Sequence, residues 1–262
     1  MRCGAMNFPV YPILDEVAAI AALGFDYLEL TLDPPRAHYS QVDQQKNALR
    51  DALDRNRIQL ICHMPTFVSL ADLTPGIRKA SLDEVLASLE TAAALNAEKV
   101  VVHPAYITGM GSFVMDQARR YALDSLAAIV GKAAELDLVL CLENMFPRTQ
   151  FCVGVDDFKD IFERFPSLKL TLDTGHANIG TSKGKRILEF IETFPERIGH
   201  VHVSDNFGKE DNHLPIGAGN INWPRVLKAL RKIDYDDTVT FEIFSADRDY
   251  LKISRKKFLN MW

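Results

Sequence analysis

Two short stretches of sequence decide the fold of this chain, Lys99-Val100-Val101-Val102-His103 and Val139-Leu140-Cys141-Leu142-Glu143. Each is a nearly continuous apolar run that ends in a polar residue, which is typical of parallel strands covered on both faces. The segment between them repeats apolar residues at helical spacing, at Leu123, Leu126, Ala127 and Val130. Together they predict a strand–helix–strand unit whose two strands end in a histidine and a glutamate.

The same alternation extends to both ends of the chain. Eight strands are predicted, at Arg2–Met6, Tyr27–Leu32, Ile58–His63, Lys99–His103, Val139–Glu143, Lys169–Asp173, Gly199–Val203 and Val239–Phe244. Eight such units without a shift in composition predict the α/β class and a single-domain (β/α)8 TIM barrel over residues 1–262. A doubly wound sheet is the alternative, but its glycine-rich phosphate fingerprint is missing after the first strand.

Composition excludes several classes of protein. The 262 residues are 47% hydrophobic and 25% charged, with a formal net charge of −5, so there is no general basic footprint for nucleic acid. The four cysteines include no C-x-x-C pair and are predicted to be reduced structural thiols. Without a signal-peptide pattern or an apolar run of about 18 residues, we expect a cytoplasmic protein with no membrane segment.

The polar residues at the strand ends predict a metal site. Six consecutive predicted strands end in or beside His63, His103, Glu143, Asp173, His202 and Glu242. A closed barrel brings these ends onto one ring around its C-terminal mouth, where the active sites of such barrels lie. Mixed imidazole and carboxylate ligands suit Zn²⁺, Mn²⁺, Co²⁺ or Fe²⁺, and buried charges are costly unless they are paired or bound to metal.

Three further histidines and an aspartate lie close to this ring. His200 and His202 face the same way on one strand, and His202 is favoured as the ligand because it lies about 6.6 Å nearer the mouth. His200 is expected in an inner layer or behind the ligands. His176 follows Asp173 by one helical turn, and the loop after strand seven adds Asp211 and His213, which would complete a second or third metal site.

Three motifs resemble the xylose isomerase-like barrel superfamily, which includes endonuclease IV and many sugar isomerases and epimerases. They are Asp173-Thr174-Gly175-His176, His202-Val203-Ser204-Asp205, and Asp211-Asn212-His213-Leu214-Pro215-Ile216-Gly217-Ala218-Gly219-Asn220-Ile221. The resemblance covers essentially the whole chain.

The resemblance to the epimerases implies one divalent ion held by Glu143, Asp173, His202 and Glu242. The resemblance to endonuclease IV adds His63, His103, His176, Asp211 and His213, and implies up to three zinc ions. All nine positions are filled here. One to three ions of Zn, Mn, Co or Mg are therefore expected in each chain.

Two departures separate the chain from the endonuclease. Its DNA-opening tyrosine, three residues after the first ligand histidine, is replaced by Thr66, and the loop Asp33–Ser40 contains Arg36 as its one basic residue. Isomerisation or epimerisation of a small sugar, sugar phosphate or cyclitol through an enediolate is therefore the preferred hypothesis. Alternatives are cleavage of DNA at abasic sites, an inosose-type dehydratase, and a non-catalytic sugar-binding barrel.

In the preferred hypothesis each predicted site residue has a role. Glu143 and Glu242, on opposite parts of the ring, would exchange a proton with the substrate, and His176 would hydrogen-bond a substrate oxygen. Arg148, together with Lys185, is a candidate for a substrate phosphate. Further predicted substrate contacts are Asn144, Phe67 and Trp223. The expected partner is a small sugar-like molecule, and a homodimer is an open possibility.

Overall fold

The eight strands form a closed parallel barrel in which each strand pairs with the next along the chain and β8 pairs with β1. The computed structural model describes residues 1–181 and 183–262. The strands are β1 Arg2–Met6, β2 Tyr27–Thr31, β3 Gln59–His63, β4 Lys99–Val102, β5 Val139–Glu143, β6 Lys169–Asp173, β7 Ile198–Val203 and β8 Thr238–Phe241. The predicted (β/α)8 barrel is confirmed.

The helices surround the barrel. Within the described residues they are α1 Ile13–Ala22, α2 Tyr39–Gln44, α3 Lys46–Asn56, α4 Pro75–Ala94, α5 Met115–Glu135, α6 Val155–Arg164, α7 Thr174–Asn178, α8 Lys185–Thr193, α9 Trp223–Lys232 and α10 Asp249–Met261. None of these helices has both the length and the apolar character needed to cross a membrane.

Apolar side chains fill two separate regions. The large core lies between the strands and the helices, and burying it supplies the main driving force for folding. Tyr27, Ile61 and Val101 form a second, small cluster, on residues that alternate with those of the outer core. Alternation along a strand places this cluster inside the barrel, below the polar residues of the mouth.

The strand ends differ slightly from those predicted. β8 ends at Phe241 rather than Phe244, and β4 ends at Val102, so His103 and Glu242 are the first residues beyond their strands. Both residues lie just beyond the sheet, and their side chains line the mouth. All four cysteines are buried and free, as predicted.

A buried carboxylate, that of Asp205, helps to hold the long loop after β7 in place. Asp205 accepts hydrogen bonds from the backbone N–H groups of Gly217 at 2.9 Å and Ile221 at 3.2 Å, and from the indole N–H of Trp223 at 2.9 Å. Gly219 passes so close to Asn206 that a side chain would collide with its backbone. This closure fixes the part of the loop that carries Asp211 and His213.

The close packing of Gly4 against Tyr27 on the neighbouring strand gives a test of the fold. A Cβ atom on Gly4 of β1 would overlap the buried ring of Tyr27 on β2. We expect Gly4→Ala to reduce the free energy of unfolding by about 1–3 kcal/mol, the usual cost of overpacking a core. Gly76→Ala is the control because a Cβ on Gly76 of α4 meets no atom within 4 Å. Urea unfolding checks both; equal stability of the two variants would contradict the packing described.

Candidate metal centre

The C-terminal mouth of the barrel opens into a cavity of about 670 Å³. The titratable side chains that line it are His63, His103, Tyr106, His176, His213, Asp33, Glu143, Asp211 and Glu242. Among the described residues, no lysine or arginine lines this cavity. Its outer part is aromatic, formed by Phe8, Phe67, Phe146 and Phe244.

Glu143, at the end of β5, is the centre of the cluster and is almost completely buried. One carboxylate oxygen, Oε2, lies 3.3 Å from Nε2 of His63, 3.3 Å from Nε2 of His103 and 3.4 Å from Nδ1 of His202. The other, Oε1, lies 3.0 Å from Nδ1 of His176. One carboxylate therefore faces four imidazoles from four different parts of the chain.

A second group converges on the ring of His202. Its Nδ1 lies 3.0 Å from Oε1 of Glu242, 3.4 Å from Oε2 of Glu143 and 3.8 Å from Oδ2 of Asp173. Both His202 Nδ1 and Asp173 Oδ2 are buried without a hydrogen-bond partner. Leaving such atoms unpaired is expensive, so their shared direction indicates a place for a cation.

The loop after β7 closes one side of the cluster with a third group. Oδ2 of Asp211 lies 2.9 Å from Nε2 of His213 and 3.3 Å from Nε2 of His176. The other oxygen of Asp211, Oδ1, is buried and has no hydrogen-bond partner. Nδ1 of His213 donates to the backbone carbonyl of Glu242 at 3.1 Å, which ties the loop to the end of β8.

Within the described residues, three groups of His, Asp or Glu place one ligand atom each within 4.8 Å of one another. They are Glu143 with Asp173 and His202, Glu143 with His63 and His103, and Glu29 with His200 and His202. The first two share Glu143 and face the mouth. Imidazole and carboxylate ligands of this kind fit a divalent transition metal.

The electrostatics of the cluster favour a cation. Burial raises the pKa of Asp173 to about 7, and the neighbouring carboxylates of Glu242 and Glu143 contribute to the rise. Burial opposes ionisation of Glu143 as well, but the surrounding imidazoles, His202 foremost, hold its pKa well below the usual value. Burial lowers the pKa of His63, yet contact with Glu143 outweighs this and raises it to about 9. Protons on His63 and Asp173 thus reduce the repulsion between the buried carboxylates, and a divalent cation bound at the same place would do the same.

The comparisons with known proteins identify the family of this chain. A family model described as xylose isomerase-like TIM barrel matches residues 17–259. The chain belongs to the xylose isomerase-like TIM barrel family. The resemblance seen in the sequence motifs is thereby confirmed.

Relatives in this family include sugar epimerases. The chain is 27% identical to an L-ribulose 3-epimerase of Methylomonas sp. strain DH-1, over 94% of this chain and 84% of that protein. It is 30% identical to an uncharacterized protein of Methanocaldococcus jannaschii, over 92% and 83%. Among solved structures, a D-tagatose 3-epimerase-like protein superposes with a TM-score of 0.87 at 28% identity, covering 100% of this chain and 98% of the other.

The structure brings together all nine residues that the sequence nominated as metal ligands. Two of the four predicted substrate contacts have different surroundings from those expected. Trp223 is buried at the start of α9, where its indole donates to Asp205, and it does not line the mouth cavity. Arg148 is exposed and also lies outside the lining. Lys185, its expected partner, faces Glu189 on the surface of α8.

The other two predicted substrate contacts, Phe67 and Asn144, differ in whether they reach the cavity. Phe67 lines the cavity and is 89% exposed, so it is available to a ligand at the rim. Asn144 is fully buried, and its amide bridges β5 to β6 by accepting from Asp173 N at 2.8 Å and donating to Asp173 O at 3.1 Å. Because both ends of its amide are used, Asn144 positions Asp173 and does not face the cavity.

Sequence reasoning missed two buried carboxylates. Glu29 lies in the middle of β2 and contacts both His200 and His202, and Asp33, beyond the end of β2, accepts hydrogen bonds from Thr31 and Thr66. The available signal for Glu29 was a charged residue inside the apolar run Leu28-Glu29-Leu30. For Asp33 it was an acidic residue at a strand end, like those of the six strands that were recognised.

Asp173 provides the sharpest test of this centre. We expect Asp173→Asn to reduce affinity for Mn²⁺ or Zn²⁺ by more than about 100-fold, the upper end of the loss seen when residues behind metal ligands are removed. The reason is that one unpaired, charged oxygen is replaced by a neutral amide. Titration against a chelating dye measures the affinity.

Asp33→Asn is the matched control. It replaces a carboxylate that lines the mouth cavity by the same amide, but the oxygens of Asp33 are already hydrogen-bonded to Thr31 and Thr66. It should therefore retain affinity within a few fold. Equal losses in both variants would mean that the cavity attracts cations only through its overall charge.

Proposed function

We propose that the protein is a metal-dependent epimerase or isomerase of a small, uncharged polyhydroxy carbonyl compound. The observation that carries this proposal is the convergence of two buried carboxylates, Glu143 and Glu242, on Nδ1 of His202. They come from β5 and from the residue after β8, three strands apart in the barrel order. A substrate carbon between them would have an acid/base group on each side.

The residues of the quartet fit a divalent ion because two of their buried polar atoms, His202 Nδ1 and Asp173 Oδ2, are otherwise unpaired. Glu143, Asp173, His202 and Glu242 would hold it. When bound, a divalent ion acts as a Lewis acid that polarises the substrate carbonyl and an adjacent hydroxyl. His63 and His103, which share Glu143, would hold a second ion.

The chain's own side chains then move the proton. Glu143 removes the proton from the carbon next to the carbonyl, and the electrons of the C–H bond move into the enediolate. Glu242 returns a proton to the opposite face of that carbon, which inverts its configuration; the roles exchange for the other epimer. His176 has one ring nitrogen beside Glu143 and the other beside Asp211, so it positions these carboxylates and has no N–H left for a substrate oxygen.

The cavity supports an uncharged substrate. No described lysine or arginine lines it, whereas phosphate groups are normally bound by such cations or by free backbone N–H groups. Phe67, Phe146 and Phe244 offer aromatic faces to the C–H surfaces of a sugar. This argues against a sugar phosphate whose phosphate lies away from the proposed ions. The case against a DNA phosphodiester rests on Thr66 and on the single arginine of the loop Asp33–Ser40.

The sugar class is suggested by the relatives. An L-ribulose 3-epimerase and a D-tagatose 3-epimerase-like protein match over nearly the whole chain. Both names specify inversion next to the carbonyl carbon of a ketose. Free ketoses are therefore the first substrates to examine.

The reaction is tested by incubating the metal-loaded protein with a panel of free pentuloses and hexuloses in D2O. We expect a 3-epimer that carries one solvent deuterium at the inverted carbon, detected by NMR. Glu242→Gln should reduce kcat by about 10²–10⁴-fold, as expected when an acid/base group is lost. Metal content of this variant is measured in parallel, because Glu242 is also a proposed ligand.

Other outcomes would contradict the proposed epimerase reaction. Loss of water from the sugar would identify a dehydratase built from the same groups. Cleavage of abasic-site DNA without any action on sugars would establish the endonuclease alternative. No turnover with any of these classes in a metal-replete protein would favour a binding barrel.

Phosphorylation of the substrate gives a separate prediction. With the best ketose found, its terminal phosphate ester should show a kcat/KM at least about tenfold lower, because the mouth offers carboxylates and no paired cation to the phosphate. Competition kinetics with the two sugars check this. A preference for the phosphate ester would show that a cation outside the described lining reaches the substrate.

A further inference from the structure

Glu29 is a charged residue in the middle of β2 and is completely buried inside the barrel. Its two oxygens contact two histidines of β7: Oε2 lies 2.9 Å from Nε2 of His200, and Oε1 lies 3.0 Å from Nε2 of His202. Thr240 of β8 also donates its hydroxyl to Oε2. A carboxylate in such a place is costly unless it is fully paired, and here each oxygen has a donor.

The hydrogen bonds continue from Glu29 toward the opposite end of the barrel. Nδ1 of His200 lies 2.7 Å from Oγ1 of Thr238, which lies 3.1 Å from Nζ of Lys99. The buried ammonium of Lys99 also donates to Gly199 O at 2.8 Å and to Asp237 Oδ1 at 2.8 Å. The side chains thus form a buried column from the mouth to the far rim, where Asp237 is partly exposed.

With His200 neutral, the two ends of this column determine the direction of its hydrogen bonds. An ammonium group can only donate and an ionised carboxylate can only accept. Lys99 therefore donates to Thr238, the Thr238 hydroxyl donates to Nδ1 of His200, and Nε2–H of His200 donates to Glu29. On the other oxygen, Nε2–H of His202 donates to Glu29, which leaves Nδ1 of His202 directed at Glu143, Asp173 and Glu242.

We propose that Glu29 is a positioning residue that fixes the proton of His202 on Nε2, so that Nδ1 is the atom offered to the metal, and that His200, Thr238 and Lys99 hold Glu29 in this role. This inference rests on the metal centre of the proposed function. A metal-binding imidazole needs its second nitrogen hydrogen-bonded to keep one tautomer and one ring orientation. Glu29 accepts this hydrogen bond from Nε2 of His202, and it lies on β2, a strand that contributes no metal ligand.

The bridging geometry requires a carboxylate. A glutamine at this position could accept from one imidazole N–H but would direct its amide N–H toward the other. If the amide N–H faced His200, the proton on its Nε2 would have to move to Nδ1. There it would oppose the hydroxyl proton of Thr238. Glu29→Gln therefore disturbs both rings although it preserves shape and volume.

The first test reads the tautomers directly in the wild-type protein. Long-range ¹H–¹⁵N NMR of the imidazoles in metal-free protein at pH 7 should show His200 neutral, with its proton on Nε2. Burial, which lowers the pKa of His200, agrees with the neutral form. After loading with Zn²⁺, His202 should also carry its proton on Nε2. A proton on Nδ1 of His200 would overturn the proposal whether or not the protein acts on a sugar.

The second test measures affinity for Zn²⁺ by competition with a chelating dye. Glu29→Gln should weaken binding by about 10–100-fold, the usual effect of removing the partner of a metal-binding histidine. Thr171→Val is the control: Thr171 faces the same interior beside His200, and its buried hydroxyl has no hydrogen-bond partner. This variant should bind Zn²⁺ as the wild type does.

Thr238→Val keeps the proposal testable should Glu29→Gln not fold. It removes the donor to His200 Nδ1 without touching a proposed ligand. Because Glu29 still accepts from Nε2–H, His200 should keep this tautomer, while its Nδ1 resonance shifts on losing a hydrogen bond and Zn²⁺ affinity falls by less than in Glu29→Gln. Unchanged affinity in Glu29→Gln would mean that Glu29 does not position His202, and an unchanged Nδ1 resonance of His200 in Thr238→Val would mean that Thr238 does not support the column. Wild-type protein that shows the expected His200 tautomer but binds no metal would refute the proposed function and leave the column intact.

Discussion

The structure depends on a concentration of negative charge that is buried at one end of the barrel. Glu143, Asp173 and Glu242 are almost completely buried there, and the partly exposed Asp211 lies beside them, next to His176 and His213. Carboxylates at such distances repel one another strongly in a medium of low dielectric constant. The imidazoles among them offset part of this charge, and the unpaired atoms His202 Nδ1, Asp173 Oδ2 and Asp211 Oδ1 mark where compensation is incomplete.

The barrel makes this arrangement possible because its strands fix each side chain before any ligand arrives. Backbone pairing places Asp173 opposite His202 in neighbouring strands, and the amide of Asn144 ties Asp173 to β5. The carboxylate of Asp205 closes the loop after β7 on itself, and His213 ties that loop to the end of β8. Folding energy from the apolar core is thus used to hold charges that would not gather by themselves.

Much of the fold and the site could be predicted from sequence because both follow from local patterns. Apolar runs such as Lys99–Val102 identify buried parallel strands, and a closed barrel converts strand ends into one ring, which correctly grouped His63 with Glu242. Glu29 was missed because it lies in mid-strand and not at a strand end; its one signal was a charge inside the apolar run Leu28-Glu29-Leu30. Trp223 was misplaced because proximity in sequence to the mouth loop does not determine the direction of the first residue of α9, which points to Asp205.

The central claim is that Glu143, Asp173, His202 and Glu242 together hold a divalent ion. A crystal structure of the protein grown with Mn²⁺, with anomalous scattering recorded for manganese, tests it most directly. We predict an anomalous peak within bonding distance of Nδ1 of His202 and of one oxygen of each carboxylate. A peak elsewhere, or none at saturating Mn²⁺ and Zn²⁺, would contradict this account of the mouth of the barrel.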